Sequence, residues 1–80
     1  MKINLIAFGI AKEIINTPEC ILEVTNPCSI GSLKQILMEK YEEFQKIQSI
    51  KFAINEDYQE DHFLLKEGDE VVIIPPVSGG

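Results

Sequence analysis

The chain closes on Pro75-Pro76-Val77-Ser78-Gly79-Gly80, and the carboxylate of Gly80 is the group in this stretch best suited to chemistry. A free carboxylate is a poor electrophile, but it becomes a good one once an enzyme turns one of its oxygens into a phosphate-type leaving group. Gly79 and Gly80 suit that use, because without Cβ atoms they can enter a narrow channel and take backbone angles that other residues resist. Pro75 and Pro76 set up an extended exit, rising about 3.1 Å per residue if polyproline-like, that projects the end away from the folded body. Ser78 offers a hydroxyl but has no adjacent histidine to activate it. At ordinary glycine usage a terminal Gly-Gly arises by chance in roughly 0.5% of chains, so the pair is uncommon without being diagnostic.

The other reactive side chains are dispersed. Cys20 and Cys28 are separated by seven residues, without the C-x-x-C spacing of a redox or zinc site, and His62 is the one histidine able to join them. That spacing predicts no metal site and two cysteines that pack as small hydrophobes, buried or half-buried. His62, Glu42-Glu43 and Glu56-Asp57 are expected on the solvated surface.

These residues need elements to carry them. Lys2–Phe8 alternates, with Ile3, Leu5 and Ala7 on one side, and predicts a strand. Ile10–Ile15 is expected to form a short helical turn, broken at Asn16-Thr17-Pro18, and Cys20–Thr25 a second strand. Pro27 and the N-cap residue Ser29 punctuate the chain before the one strong helix signal. There Ile30, Leu33, Leu37, Tyr41 and Phe44 recur at steps of three and four, predicting one helix reaching toward Gln45. Ile50–Ile54, a weaker strand from Tyr58 and the β-branched run Val71–Ile74 follow, separated by turns at Asn55-Glu56-Asp57 and Lys66–Asp69. One apolar helix stripe covers one face of a small sheet, so the fold class expected is α+β: a β-grasp domain with a mixed four- to five-stranded sheet packed on one main helix. Its first and last strands would be central neighbours.

Eighty residues, 45% hydrophobic, are enough for one two-layer core. The expected organisation is a domain over 1–74 and a flexible carboxy-terminal tail over 75–80. A net charge of -6 repels phosphate backbones and anionic lipid surfaces alike, which disfavours nucleic-acid and membrane partners. The opening MKINLIAFGI lacks the apolar core and cleavage site of a signal peptide, and no stretch approaches the ~20 apolar residues of a membrane span. A cytoplasmic location is expected.

Lys66-Glu67-Gly68-Asp69-Glu70-Val71 followed by Ile74-Pro75-Pro76-Val77-Ser78-Gly79-Gly80 resembles the carboxy end of the small, ubiquitin-like sulfur-carrier subunits of molybdopterin synthase. The resemblance extends through Leu5–Phe8, Ala11-Lys12-Glu13, the Ser29-capped helix with Leu33, and Ala53-Ile54-Asn55. It departs between Phe44 and Ile50. It implies that Gly80 is the reacting residue: an adenylating, E1-like activating enzyme uses ATP to make its acyl-adenylate, and a persulfide sulfur donor converts this to a thiocarboxylate. Pro75, Pro76, Val77, Ser78 and Gly79 would then insert into the synthase large subunit, where the sulfur passes to a cyclic pyranopterin precursor to build the dithiolene. No cofactor is expected to be bound by the chain itself, and the catalytic side chains would come from the partner. A sulfur carrier for thiamine biosynthesis or tRNA thiolation, and a ubiquitin-like protein modifier, remain open alternatives.

Strand alternation also singles out a second group. If Ile3, Leu5, Val71 and Ile73 face the helix, then Ile6, Phe8, Val72 and Ile74 gather on the opposite face beside the tail exit. That face is either covered by a loop or a docking surface for the large subunit and the activating enzyme.

Overall fold

A computed structural model describes residues 1–47 and 50–74 of the chain. Five strands, β1 (Lys2–Ala7), β2 (Glu19–Glu23), β3 (Lys51–Ile54), β4 (Asp57–Gln59) and β5 (Glu70–Ile74), form one sheet in the order β2-β1-β5-β3-β4. β1 and β5 run parallel at its centre and the other neighbours pair antiparallel. The two most apolar strands take the middle because there both sheet edges are satisfied by backbone partners and one face by the core. The alternation of β1 reads directly as burial: Ile3, Leu5 and Ala7 are each 1% exposed, while Lys2 and Asn4 are exposed.

The principal helix, α2 (Ile30–Lys40), starts where Ser29 accepts a hydrogen bond from the Ser32 backbone N–H at 3.1 Å. Two further N-terminal amides, of Ile30 and Gly31, donate to the carbonyls of Phe63 and Asp61, so the 61–63 loop completes the cap. Ile30, Leu33 and Leu37 press onto the sheet with Phe52, Val71 and Ile73. The apolar stripe does not continue as one helix to Phe44. Tyr41 turns extended (φ -129, ψ 96), and a 3-10 turn over Glu42–Lys46 brings the fully buried Phe44 into the same core. Eleven helical residues span about 16 Å, close to the length of a five-residue strand. After the bend, Phe44 packs with its ring edge-on to Tyr41 at 5.9 Å.

The segment after β1 is longer than one helical turn: α1 covers Gly9–Ile15 and closes on Asn16, left-handed at φ 64, whose N–H reaches the Lys12 carbonyl at 2.8 Å. Its Ala11 and Ile15 join the core. β2 begins and ends slightly earlier than its apolar residues suggest, because its limits follow the pairing of Lys2 with Glu23 and of Ile6 with Glu19. The Asn26–Pro27 bond between β2 and α2 is cis.

The start of β5 is held by side chains. Asp69, buried in the Lys66–Asp69 turn, accepts from the Lys66 backbone N–H at 2.8 Å and from Asn55 Nδ2 at 3.1 Å. Asn55 Oδ1 in turn accepts from the Glu70 N–H at 3.1 Å, and the Asn55 N–H donates to the Glu70 carbonyl. Asn55 and Glu56 both have positive φ, which is what a two-residue hairpin between β3 and β4 requires, and Gly68 supplies the positive φ (81) of the neighbouring turn. Asp69→Ala would leave the Asn55 amide and the Lys66 N–H without their acceptor. Urea denaturation should show a loss of about 2–3 kcal/mol, whereas an exposed carboxylate such as Glu43 replaced by Ala should change stability by less than about 0.5 kcal/mol.

Candidate functional site

Both α-helices and the 3-10 turn bury their apolar residues against one face of the sheet. Pairing registers show what the other face carries. Ile6 of β1 lies beside Val72 of β5, Val72 beside Ala53 of β3, and Ala53 beside Tyr58 of β4. These four make a continuous row across the sheet, ended on β2 by Glu19. One step toward the carboxy end of β5, Ile74 pairs with Lys51, and Phe8 follows the Ala7–Ile73 pair on the adjacent strand. Ile6, Val72 and Ile74 are half-buried among their strand neighbours, while Phe8 is 59% and Tyr58 68% exposed.

Ile6, Phe8, Val72 and Ile74 therefore fall together as alternation predicts, at the end of the sheet where β5 ends. Sequence reading did not find Ala53, Tyr58 or Lys51. Alternation within a strand shows which residues share a side. Only the pairing register shows which of them become neighbours. The expectations for Pro75, Pro76, Val77, Ser78, Gly79 and Gly80 concern residues outside those described, as does the Gln48-Ser49 part of the segment after Phe44.

Elsewhere among the described residues no reactive cluster forms. Cys28 is buried, its Sγ 3.5 Å from the Ser29 carbonyl, and burial pushes its thiol above the ordinary value of 9.0. Cys20 is half-buried on the sheet edge, opposite Leu5. His62 is exposed, 3.8 Å from the equally exposed Glu60. A groove of about 760 Å³ between α2 and β4 is lined by Ile30, Lys34, Phe52, Tyr58, Gln59 and His62, among others, but its Lys34 is already paired with Asp61 at 2.6 Å. Among the described residues no group of three or more His, Cys, Asp or Glu is placed to hold a metal ion. Among them, too, no helix is long and apolar enough to cross a membrane.

A mixed sheet with parallel first and last strands at its centre, packed on one principal helix and leaving its other face open where the last strand ends, is a ubiquitin-like β-grasp domain. The ThiS family profile matches residues 5–80, and the chain belongs to that family. It is 34% identical to the molybdopterin synthase sulfur carrier subunit of Mycobacterium tuberculosis over an alignment of 82 residues, covering all of this chain and 99% of the relative. Among solved structures it is 25% identical to a chain in the complex of subunits 1 and 2 of the molybdopterin-converting factor from Helicobacter pylori, with a TM-score of 0.68 and full coverage of both chains (100%). It is 26% identical to the small archaeal modifier protein 1 of Methanosarcina acetivorans, with a TM-score of 0.77, covering 99% of this chain and 96% of that one.

Two expectations follow from the geometry. Ile74→Asp and Ile6→Asp should each leave a folded domain, at a cost of about 1–2 kcal/mol, whereas Ile73→Asp, which drives a carboxylate into the core, should cost more than about 4 kcal/mol; equilibrium denaturation separates them. In the native protein at mildly alkaline pH, iodoacetamide should label Cys20 at least about tenfold faster than Cys28, and denaturation should erase the difference. Intact and peptide mass spectrometry would read both rates.

Proposed function

We propose that this chain is the sulfur carrier subunit of a molybdopterin synthase. The observation that carries the reading is the ThiS family match, which runs through Gly80 and so takes in the whole Pro75–Gly80 segment along with the domain. The M. tuberculosis relative bears that function in its name over its full length. An open apolar face beside the end of β5 is consistent with a partner that docks there and receives the following residues. The similar H. pylori chain belongs to a protein–protein complex of subunits 1 and 2 of the molybdopterin-converting factor.

In this reading an activating enzyme transfers AMP from ATP to the Gly80 carboxylate, releasing pyrophosphate. A persulfide sulfur then attacks the acyl carbon, AMP departs, and reductive cleavage of the sulfur–sulfur bond by a thiol leaves a thiocarboxylate. The large subunit, which supplies the catalytic side chains, passes this sulfur to a cyclic pyranopterin precursor, and hydrolysis returns the carboxylate. The domain's contribution is position. Ile6, Phe8, Val72 and Ile74 dock, and six residues after Ile74 reach about 19 Å if extended. ATP, the activating enzyme and the persulfide donor all act in the cytoplasm on this account, and no cofactor resides on the carrier.

The similarity to an archaeal modifier protein favours one second reading, in which the same activated carboxylate is joined to lysines of other proteins. Intact mass analysis of the chain isolated with its partners distinguishes the two. A carrier shows one oxygen replaced by sulfur, and a modifier shows conjugates that survive thiol reduction. Deleting Gly80, or adding one Ala after it, should abolish sulfur loading by activating enzyme, ATP and persulfide, because misplacing a reacting carbonyl by about 1 Å costs on the order of 100-fold. Thermal stability should stay within about 1 °C, since a tail end contributes little to the core. Loading of either variant at the parent rate would remove Gly80 from the mechanism.

A further inference from the structure

The open face is lopsided in charge. On β2, Glu19, Ile21 and Glu23 all point to that face, beside Ile6, Asn4 and Lys2 respectively, and on the central strand Glu70 stands beside Asn4. All three glutamates are exposed, and Ile21 between two of them is 68% exposed. Among the described residues the ion pairs are Lys34–Asp61 and Glu60–His62, at the β4 side of the domain, so Glu19, Glu23 and Glu70 make none. Lys2, in register with Glu23, offsets one of the three carboxylates on that side, and the opposite side of the face carries the cation Lys51, paired in register with Ile74.

Protection of a sheet edge against strand addition accounts for charges on β2. It does not account for an exposed isoleucine between them, nor for Glu70 on an interior strand. We propose that Glu19, Ile21, Glu23 and Glu70 form an acidic shoulder of the docking face, receiving a protein surface on which lysines or arginines surround an apolar centre. The inference rests on the reading above, in which that protein is the synthase large subunit.

Rim charges act mainly on encounter and orientation. An apolar row crossing four of the five strands does little to distinguish a correctly docked partner from one rotated half a turn. Carboxylates on the β2 side and Lys51 on the other make one rotation favourable, and that rotation sets which way the chain after Ile74 enters the partner. A second copy of this chain is a poor occupant. Antiparallel pairing of two β2 strands about Ile21 would oppose Glu19 to Glu23 twice, and like charges directly opposite destabilise a strand pair. Nucleic acid and anionic lipid are repelled by the same carboxylates.

The test measures association of the full chain with the large subunit by stopped-flow or surface plasmon resonance at about 50 mM and about 500 mM salt. Glu19→Lys/Glu23→Lys is compared with Glu42→Lys/Glu43→Lys, which changes net charge equally but lies on the 3-10 turn behind the sheet. The expected result is a wild-type association rate that falls about tenfold with salt, a β2 variant slowed about tenfold at low salt with little remaining salt dependence, and a control variant slowed less than about threefold. Glu19→Gln/Glu23→Gln should fall between wild type and the β2 reversal. Equal slowing by both reversals would reduce the effect to net charge and overturn the shoulder, as would rates indifferent to salt and to Glu19 and Glu23. A wild-type chain that fails to bind the large subunit at all would overturn the carrier reading itself, and the shoulder with it.

Discussion

The structure depends on the register of β5 between β1 and β3. This strand is the sheet's central member, its Val71 and Ile73 are buried in the core with α2, and Pro75–Gly80 follows it in the sequence. A slip of one residue would turn Val71 and Ile73 outward and bring Val72 and Ile74 into the core. It would also move the exit by about 3.3 Å. The hydrophobic pattern alone resists such a slip weakly, because Val71–Ile74 is apolar on both sides. Asn55 and Asp69 remove the ambiguity: four hydrogen bonds join the β3–β4 turn, the Lys66–Asp69 turn and the first residue of β5.

A strand apolar on both faces usually lies between two covered layers. Here one layer of helices covers one face, and the other keeps Ile6, Val72, Ile74, Phe8 and Tyr58 at or near the surface. For a domain of this size that apolar area is a liability unless a partner removes it from water. The carrier reading supplies such a partner, and it gives the patch and the tail a shared purpose, since docking against the face delivers the chain after Ile74 in one direction. The acidic shoulder adds polarity to a surface whose apolar part has little.

The chain's own chemistry is correspondingly sparse. Cys28 is sequestered, Cys20 lies at the far edge of the sheet from β4, and His62 is solvated. None of them converges with another titratable group on the face that β5 exposes. In the carrier reading proposed above no such convergence is needed, because activation and attack would take place in the partner's site.

Sequence by itself determined the core-facing sets and the class of fold. Ile3, Leu5, Val71 and Ile73 announce their side by period-two alternation, and Ile30, Leu33 and Leu37 by helical spacing, because burial acts on each residue through its own element. It also carried the terminal motif and the Ile6, Phe8, Val72 and Ile74 group. Where α2 stops, and that Phe44 enters the core from a separate turn, only the tertiary structure decided, since no glycine or proline marks the break. Ala53 and Tyr58 in the open row, Lys51 beside Ile74, and the carboxylates gathered on one shoulder were likewise decided by pairing. Residues from Ile6 to Tyr58 become neighbours only through strand register, which is set by contacts between distant segments and leaves no local periodicity to read.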